Sequence, residues 1–308
     1  MSRLPLRHEK RFTQKNAKGN VMSRILITGT SKGIGYNAAL FLARLGHHVI
    51  ATMRNPANSD LAEVAAKESL PVEIYAMDVD SVASVAEVFA KVGEVDVLIN
   101  NAGILSYDAI EDESQERIEA VMNTNYFGVV RCTKAIIAQM RERKSGVIIN
   151  IGSVAGTIAA GASAAYSASK FALESFSEVL AQELYEFNVR VYLVKPGIID
   201  TPMATTEFPA PKADSVYSSG RRMTALFKMA ENIDAPAELV SEKLQYLIES
   251  GDERLRHPVG PDALQFMGYR KSVDDHRFIS TWGAASDEEF LTKIQSDMMI
   301  DLSPFIEK

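Results

Sequence analysis

From Ser23 onward the chain alternates between two kinds of segment. Short runs rich in β-branched and aliphatic residues stand at Ile25–Thr28, His48–Met53, Val72–Met77, Val95–Asn100, Val147–Ile151 and Val189–Lys195. Runs that are apolar on both alternating faces suit strands of a parallel sheet covered on its two sides. Between them lie segments of helical pattern at Gly33–Leu45, Leu61–Lys67, Val82–Val92, Ser114–Arg143 and Ala164–Phe187. Repeated strand–helix–strand units make right-handed crossovers, and several in series make a doubly wound sheet. The expected fold is α/β, a parallel sheet of about seven strands with helices on both faces, its last strand near His257–Val259.

Three stretches depart from this rhythm. Residues 1–22 carry six Lys/Arg and one Glu without an apolar core, and are expected to be a disordered extension, not a secretory signal. Pro202–Asp234, with Pro209, Pro211, Ser218, Ser219 and Gly220, is expected to be a long irregular lid over a site. Pro236–Ser250 then resumes a helical pattern. Residues 261–308 are expected to be a partly helical extension packed on the same domain, with Phe266, Tyr269, Phe278, Trp282 and Phe290 to bury. The single catalytic domain would thus span 23–260, lid included.

The first strand runs directly into Thr28-Gly29-Thr30-Ser31-Lys32-Gly33-Ile34-Gly35 and a helix follows at once. Gly29 permits a tight turn, Gly33 a close approach of main chain to a pyrophosphate, and Gly35 close packing of helix on strand. The helix N-terminus offers free N–H groups and the positive end of its dipole to phosphates. A glycine triplet alone can be a mere tight turn. Placed after a strand and at the head of a βαβ series, it points to a Rossmann-type dinucleotide site.

A site for NAD(H) usually has Asp or Glu about 20 residues beyond the glycines, on the ribose diol. This chain has no acidic residue between Gly35 and Asp60, and its second strand ends at Thr52-Met53-Arg54. An arginine there binds a 2′-phosphate that a carboxylate would repel, and Lys32 is placed to help. NADP(H) is therefore expected over NAD(H), unless Arg54 and Lys32 are simply solvated surface charges.

Ile151-Gly152-Ser153 closes the fifth strand, and Tyr166-Ser167-Ala168-Ser169-Lys170 follows. Tyr166 and Lys170, at i and i+4, share one helix face. Ser153 falls at the carboxyl end of the sheet, where ligands of open α/β folds lie. Taken singly, Ser153 reads as a helix cap and Asn100 and Asn101 as turn formers. Taken together with Asn100-Asn101-Ala102-Gly103, Asn125-Tyr126-Phe127-Gly128 and Pro196-Gly197 followed by Thr201, the chain resembles the short-chain dehydrogenase/reductase family in its compact, non-extended branch, over about Ser23 to Gly260.

The resemblance implies a carbonyl–alcohol oxidoreductase working by hydride transfer on a small molecule. Tyr166 would be the general acid or base, with Lys170 favouring its phenolate and holding the nicotinamide ribose. Ser153 would donate to the substrate oxygen, and Asn125 would anchor a water in a proton relay. Asp78 would meet the adenine with Val79 beside it. Asn101, Ala102 and Gly103 would line the adenine ribose side, Ser31 and Ile34 the phosphates, and Pro196, Gly197, Ile199 and Thr201 the nicotinamide. The resemblance also implies a homodimer or homotetramer.

Met203, Phe208, Tyr217, Met223, Leu226, Phe227 and Met229 in the lid favour an apolar substrate, and Ile104, Ser106 and Tyr107 are candidates to touch it. A formal net charge of −7 argues against nucleic acid as a partner. No apolar run is long enough to span a bilayer, and no Cys/His cluster has metal spacing. The lone Cys132, expected to be buried packing, fits a reducing compartment, hence the cytoplasm. A non-catalytic NADP(H)-binding sensor or scaffold is the alternative. An epimerase or dehydratase of the extended branch is disfavoured by Asn100–Gly103.

Overall fold

In the computed structural model, residues 22–306 are described. The extension expected over 1–22 therefore lies outside the described residues, apart from Met22. Seven strands form one parallel sheet: β1 (Arg24–Thr28), β2 (His48–Met53), β3 (Val72–Ala76), β4 (Val97–Asn100), β5 (Gly146–Ile151), β6 (Val189–Pro196) and β7 (Arg256–Val259). Their order across the sheet is β3-β2-β1-β4-β5-β6-β7. The order reverses between β1 and β4, where Ile25, Leu26 and Ile27 pair with Val97, Leu98 and Ile99. Such a reversal opens a crevice at the carboxyl ends of the strands.

The inner strands are largely apolar because alternate residues feed two separate cores. Ile25, Ile27, Val97, Ile99, Val147, Ile149 and Ile151 point to one face, with α1 (Gly33–Arg44), α2 (Leu61–Lys67) and α8 (Glu238–Ser250). Leu26, Leu98 and Ile148 point to the other, with α3 (Val82–Val92), α5 (Gly128–Glu142) and α6 (Ala164–Tyr185). Cys132 is fully buried in this second core, and burial pushes its thiol up to about 12. Arg143 closes the same side, donating to the carbonyls of Ser145 and Val95.

Two expectations are corrected. The segment Ser114–Arg143 is not one regular helix: α4 (Gln115–Met122) passes into α5 through a wider π-type turn at Asn123–Phe127. The stretch Pro202–Asp234 is not irregular throughout, since α7 (Ser219–Ala230) occupies its second half. Its apolar residues Met223, Leu226, Phe227 and Ala230 recur at helical spacing, which makes one buried face.

That face meets α9 (Ala263–Ser272), α10 (Asp275–Trp282) and α11 (Asp287–Met298). Met223 and Leu226 share a third core with Phe266, Tyr269, Phe278, Trp282, Phe290 and also Tyr166. The aromatic tail thus roofs the carboxyl ends of the sheet. Among the described residues no helix is long and apolar enough to cross a membrane.

Candidate active site

The crevice between β1 and β4 is closed underneath by hydrogen bonds between two loops. Thr28 Oγ1 accepts from the main-chain N–H of Asn101 and of Ala102, each at 3.0 Å. The Asn101 amide donates to the carbonyls of Thr28 at 2.9 Å and Gly29 at 3.0 Å. Gly29 has φ +71°, and a Cβ there would stand 2.7 Å from the Ala102 Cα, so the turn and the loop can approach only because it is glycine. Gly35 lies one layer deeper, against the Gly29 carbonyl. No side chain caps α1, and its first turn holds no acid, so its N–H groups are not taken up by the helix's own side chains.

Above these loops runs a cavity of about 480 Å³, within the range of small-molecule sites. It collects nearly every residue expected of a cofactor site. Gly29, Ser31, Lys32, Gly33 and Ile34 line it on one side. Arg54, Asp78 and Val79 line one end. Asn101, Ala102 and Gly103 after β4, Ser153 after β5, Pro196, Gly197, Ile199 and Thr201 at and after the end of β6, and Tyr166 and Lys170 also line it. Gly35 and Asn125 do not line it; both support residues that do.

The catalytic end is assembled by β5 and α6. Ser153 follows β5 and its Oγ accepts from Ala155 N at 3.1 Å, so it caps a short turn as well as facing the cavity. Tyr166 and Lys170 lie one helical turn apart in the first half of α6, both buried. The Lys170 ammonium donates to the Ile151 carbonyl at 2.9 Å and stands 5.6 Å from the Tyr166 ring centre. Burial pulls Lys170 down to about 8 and pushes the Tyr166 phenol up to about 12, with a hydrogen bond to Ser153 opposing the rise. Burial outweighs that hydrogen bond, and the phenol keeps its proton.

Asn125 sits in the π-type turn and is buried. Its Oδ1 accepts from Ile104 N at 2.8 Å, and its Nδ2 donates to Ile104 O and Ser169 Oγ, each at 3.0 Å. It therefore clamps the Asn100–Gly103 loop to α6. Asn100 does similar work inside the sheet, donating to Asn150 at 2.9 Å. The π-type turn is a frequent device at functional sites because it re-aims one residue of a helix.

Much of the remaining wall is apolar; besides Val154, Ile158 and Ala160 after Ser153, it comes from three further segments. Leu105 and Tyr107 follow the Asn-Ala-Gly loop, Met203, Met223, Leu226 and Phe227 come from the lid, and Phe266 and Trp282 from the tail. Tyr107 packs against Tyr166 with ring centres 5.6 Å apart, and Phe208 stacks on Phe227 at 4.1 Å. Ile104 and Tyr107 reach the cavity as expected, whereas Ser106 is buried beside it. Asp80 and Glu207 are lining residues that sequence reasoning did not single out, and Phe266 and Trp282 bring the aromatic tail, which from sequence could cover either the active site or a subunit interface, to the cavity. Lys32 also differs from expectation, because its ammonium is paired with Glu207 of the lid. Arg54 is exposed and makes no ion pair among the described residues.

Comparison with known proteins agrees with this geometry. Residues 23–212 match the profile of the short chain dehydrogenase family. The 3-ketodihydrosphingosine reductase of Bacteroides thetaiotaomicron is 40% identical over 177 residues, 58% of this chain and 64% of that enzyme, so the chain spans less than two thirds of that relative. Retinol dehydrogenase 8 of Bos taurus is 35% identical over 248 residues, 75% of this chain and 80% of that protein. Among solved structures, the closed form of serine dehydrogenase complexed with NADP+ superposes with a TM-score of 0.65 at 28% identity, covering 76% of this chain and 93% of that one.

Proposed function

The chain belongs to the short-chain dehydrogenase family of oxidoreductases, and from that premise we propose that it interconverts an apolar carbonyl and its alcohol with NADP(H). The observation that carries this reading is the meeting of Ser153, Tyr166 and Lys170 with an apolar wall at one end of a cavity whose other end holds Arg54 and the glycine turn. The uncapped α1 N-terminus and the Gly29–Gly35 cradle fit a pyrophosphate, and the cavity fits a dinucleotide lying across the sheet reversal. When bound, the nicotinamide supplies or accepts the hydride.

The protein's part is position and protons. Ser153 donates a hydrogen bond to the carbonyl oxygen and steadies the developing alkoxide. Tyr166, kept protonated by burial, delivers its proton to that oxygen during reduction. Lys170, when charged, stabilises the phenolate left behind and holds the ribose. Asn125 keeps α6 and the Asn-Ala-Gly loop in register, and its Oδ1, which accepts one bond from Ile104 N, has a second lone pair for the water of a proton relay. The lid and tail exclude water and favour uncharged, hydrocarbon-rich carbonyls. This accords with relatives named for retinol and 3-ketodihydrosphingosine.

One pH prediction follows from Lys170. Its pKa is depressed to about 8, so the ammonium is charged below that and neutral above it. For carbonyl reduction, kcat/KM should be flat at lower pH and fall as pH rises through about 8. Tyr166 titrates too high to cause this limb. A kcat/KM that climbs through the same range would reverse the assignment.

The cofactor preference has its own test. NADPH should bind more tightly than NADH by calorimetry. Arg54→Ala should weaken NADPH by about tenfold, the worth of a charge-assisted hydrogen bond, with little effect on NADH. Glu207→Gln frees Lys32 and should tighten NADPH about two- to fivefold, as expected for losing an exposed competing pair. Tighter NADH binding in the unaltered chain would overturn the preference.

A further inference from the structure

The nicotinamide end of the cavity is held from outside the glycine and tyrosine motifs. After β6 ends at Pro196, the chain turns through Gly197 and Ile198 along the cavity wall. Two main-chain N–H groups anchor this turn. Gly197 N donates to the Val259 carbonyl at 2.9 Å. Ile198 N donates at 2.8 Å to Oδ2 of Asp262, a residue 64 positions further along.

Asp262 is only 6% exposed and stands at the head of α9. Its second oxygen, Oδ1, is buried with no hydrogen-bond partner. That oxygen lies directly over Gly197, where a Cβ would come within 1.9 Å of it. The glycine after Pro196 is thus required by the carboxylate as much as by any ligand. The main chain of Asp262 also starts α9, accepting from Phe266 N at 3.0 Å, and Phe266 lines the cavity. A buried carboxylate with one orphaned oxygen is costly in an apolar setting. Its one side-chain bond goes to the loop at the reaction end.

We propose that Asp262 is a positioning residue for the reaction: it sets the Pro196–Ile199 turn against the nicotinamide and ties that turn to the helix that carries Phe266. The proposal rests on reading the cavity as an NADP(H) site. Removal of the carboxylate leaves the Ile198 N–H buried without a partner and lets the turn drift, which weakens the nicotinamide half of the site and leaves the adenine half intact.

The experiment is calorimetric titration of the full chain with NADP+ and with 2′,5′-ADP, which lacks the nicotinamide. In Asp262→Ala, NADP+ affinity falls about tenfold, the loss expected when a buried donor is left unpaired, while 2′,5′-ADP affinity stays unchanged. Asp262→Asn keeps an acceptor for Ile198 N–H and restores NADP+ binding. Equal weakening of both ligands in Asp262→Ala, unchanged NADP+ binding, or an Asn variant as weak as the Ala variant overturns the assignment. An unaltered chain that binds neither ligand overturns the reading of the cavity itself.

Discussion

Tyr166→Phe is expected to lower turnover by about 10²- to 10⁴-fold, the span typical of losing a positioned proton donor, while leaving NADPH affinity close to that of the unaltered chain. The substitution removes one oxygen and keeps the ring. The packing of Tyr166 against Tyr107 and in the third core therefore survives. Lys170 also keeps its bond to Ile151. What disappears is the phenol proposed to give its proton to the substrate oxygen. Steady-state rates with binding measured in parallel separate the two effects. Turnover retained in the phenylalanine variant would remove Tyr166 from the role of acid.

Arg222→Ala is expected to cost about 3 kcal/mol of folding stability, as when one partner of a buried ion pair is deleted. Arg222 lies on α7 and is 2% exposed. Its Nε donates to Asp287 at 2.9 Å, its Nη1 donates to the Trp282 carbonyl at 3.2 Å, and the guanidinium sits 4.8 Å from the Phe290 ring centre. It is the strut between the lid helix and the two last helices of the roof. Arg221 also reaches Asp287, at 3.0 Å, but from an exposed position, so it replaces little of the loss. Unfolding in denaturant should show the deficit, and KM for an apolar substrate should rise because Met223 and Trp282 share the cavity wall. A change smaller than about 1 kcal/mol would mean that the guanidinium is dispensable there.

The parts of the fold and site that were legible share one property: they are local. Apolar runs with β-branched residues locate the inner strands, because both faces of those strands are buried. Tyr166 and Lys170 are a pair on one turn of helix, and Gly29 to Gly35 form one continuous turn. Helix α7 was also legible in principle from Met223, Leu226, Phe227 and Ala230, but the surrounding Pro, Ser and Gly residues weighed more heavily. What stayed hidden depends on long-range encounters. Nothing near Asp262 indicates that it receives a bond from Ile198. Glu207 neutralises Lys32 from 175 positions away. The π-type turn at Asn123–Phe127 changes one hydrogen-bond step without changing the apolar period, so the pattern reads as a single helix.

The proposed reaction is hydride transfer between NADPH and an apolar carbonyl in this cavity, with Tyr166 as proton donor. The direct measurement uses NADPH deuterated at the reactive carbon of the nicotinamide, a panel of ketones and aldehydes of increasing hydrocarbon content, and mass analysis of the alcohols formed. Expected are one deuterium on the carbinol carbon of the product, kcat/KM rising with hydrocarbon content, and labelled product formed about 10²- to 10⁴-fold more slowly with Tyr166→Phe. Tight NADPH binding with no labelled alcohol from any carbonyl would contradict it and leave a protein that binds the cofactor without using it.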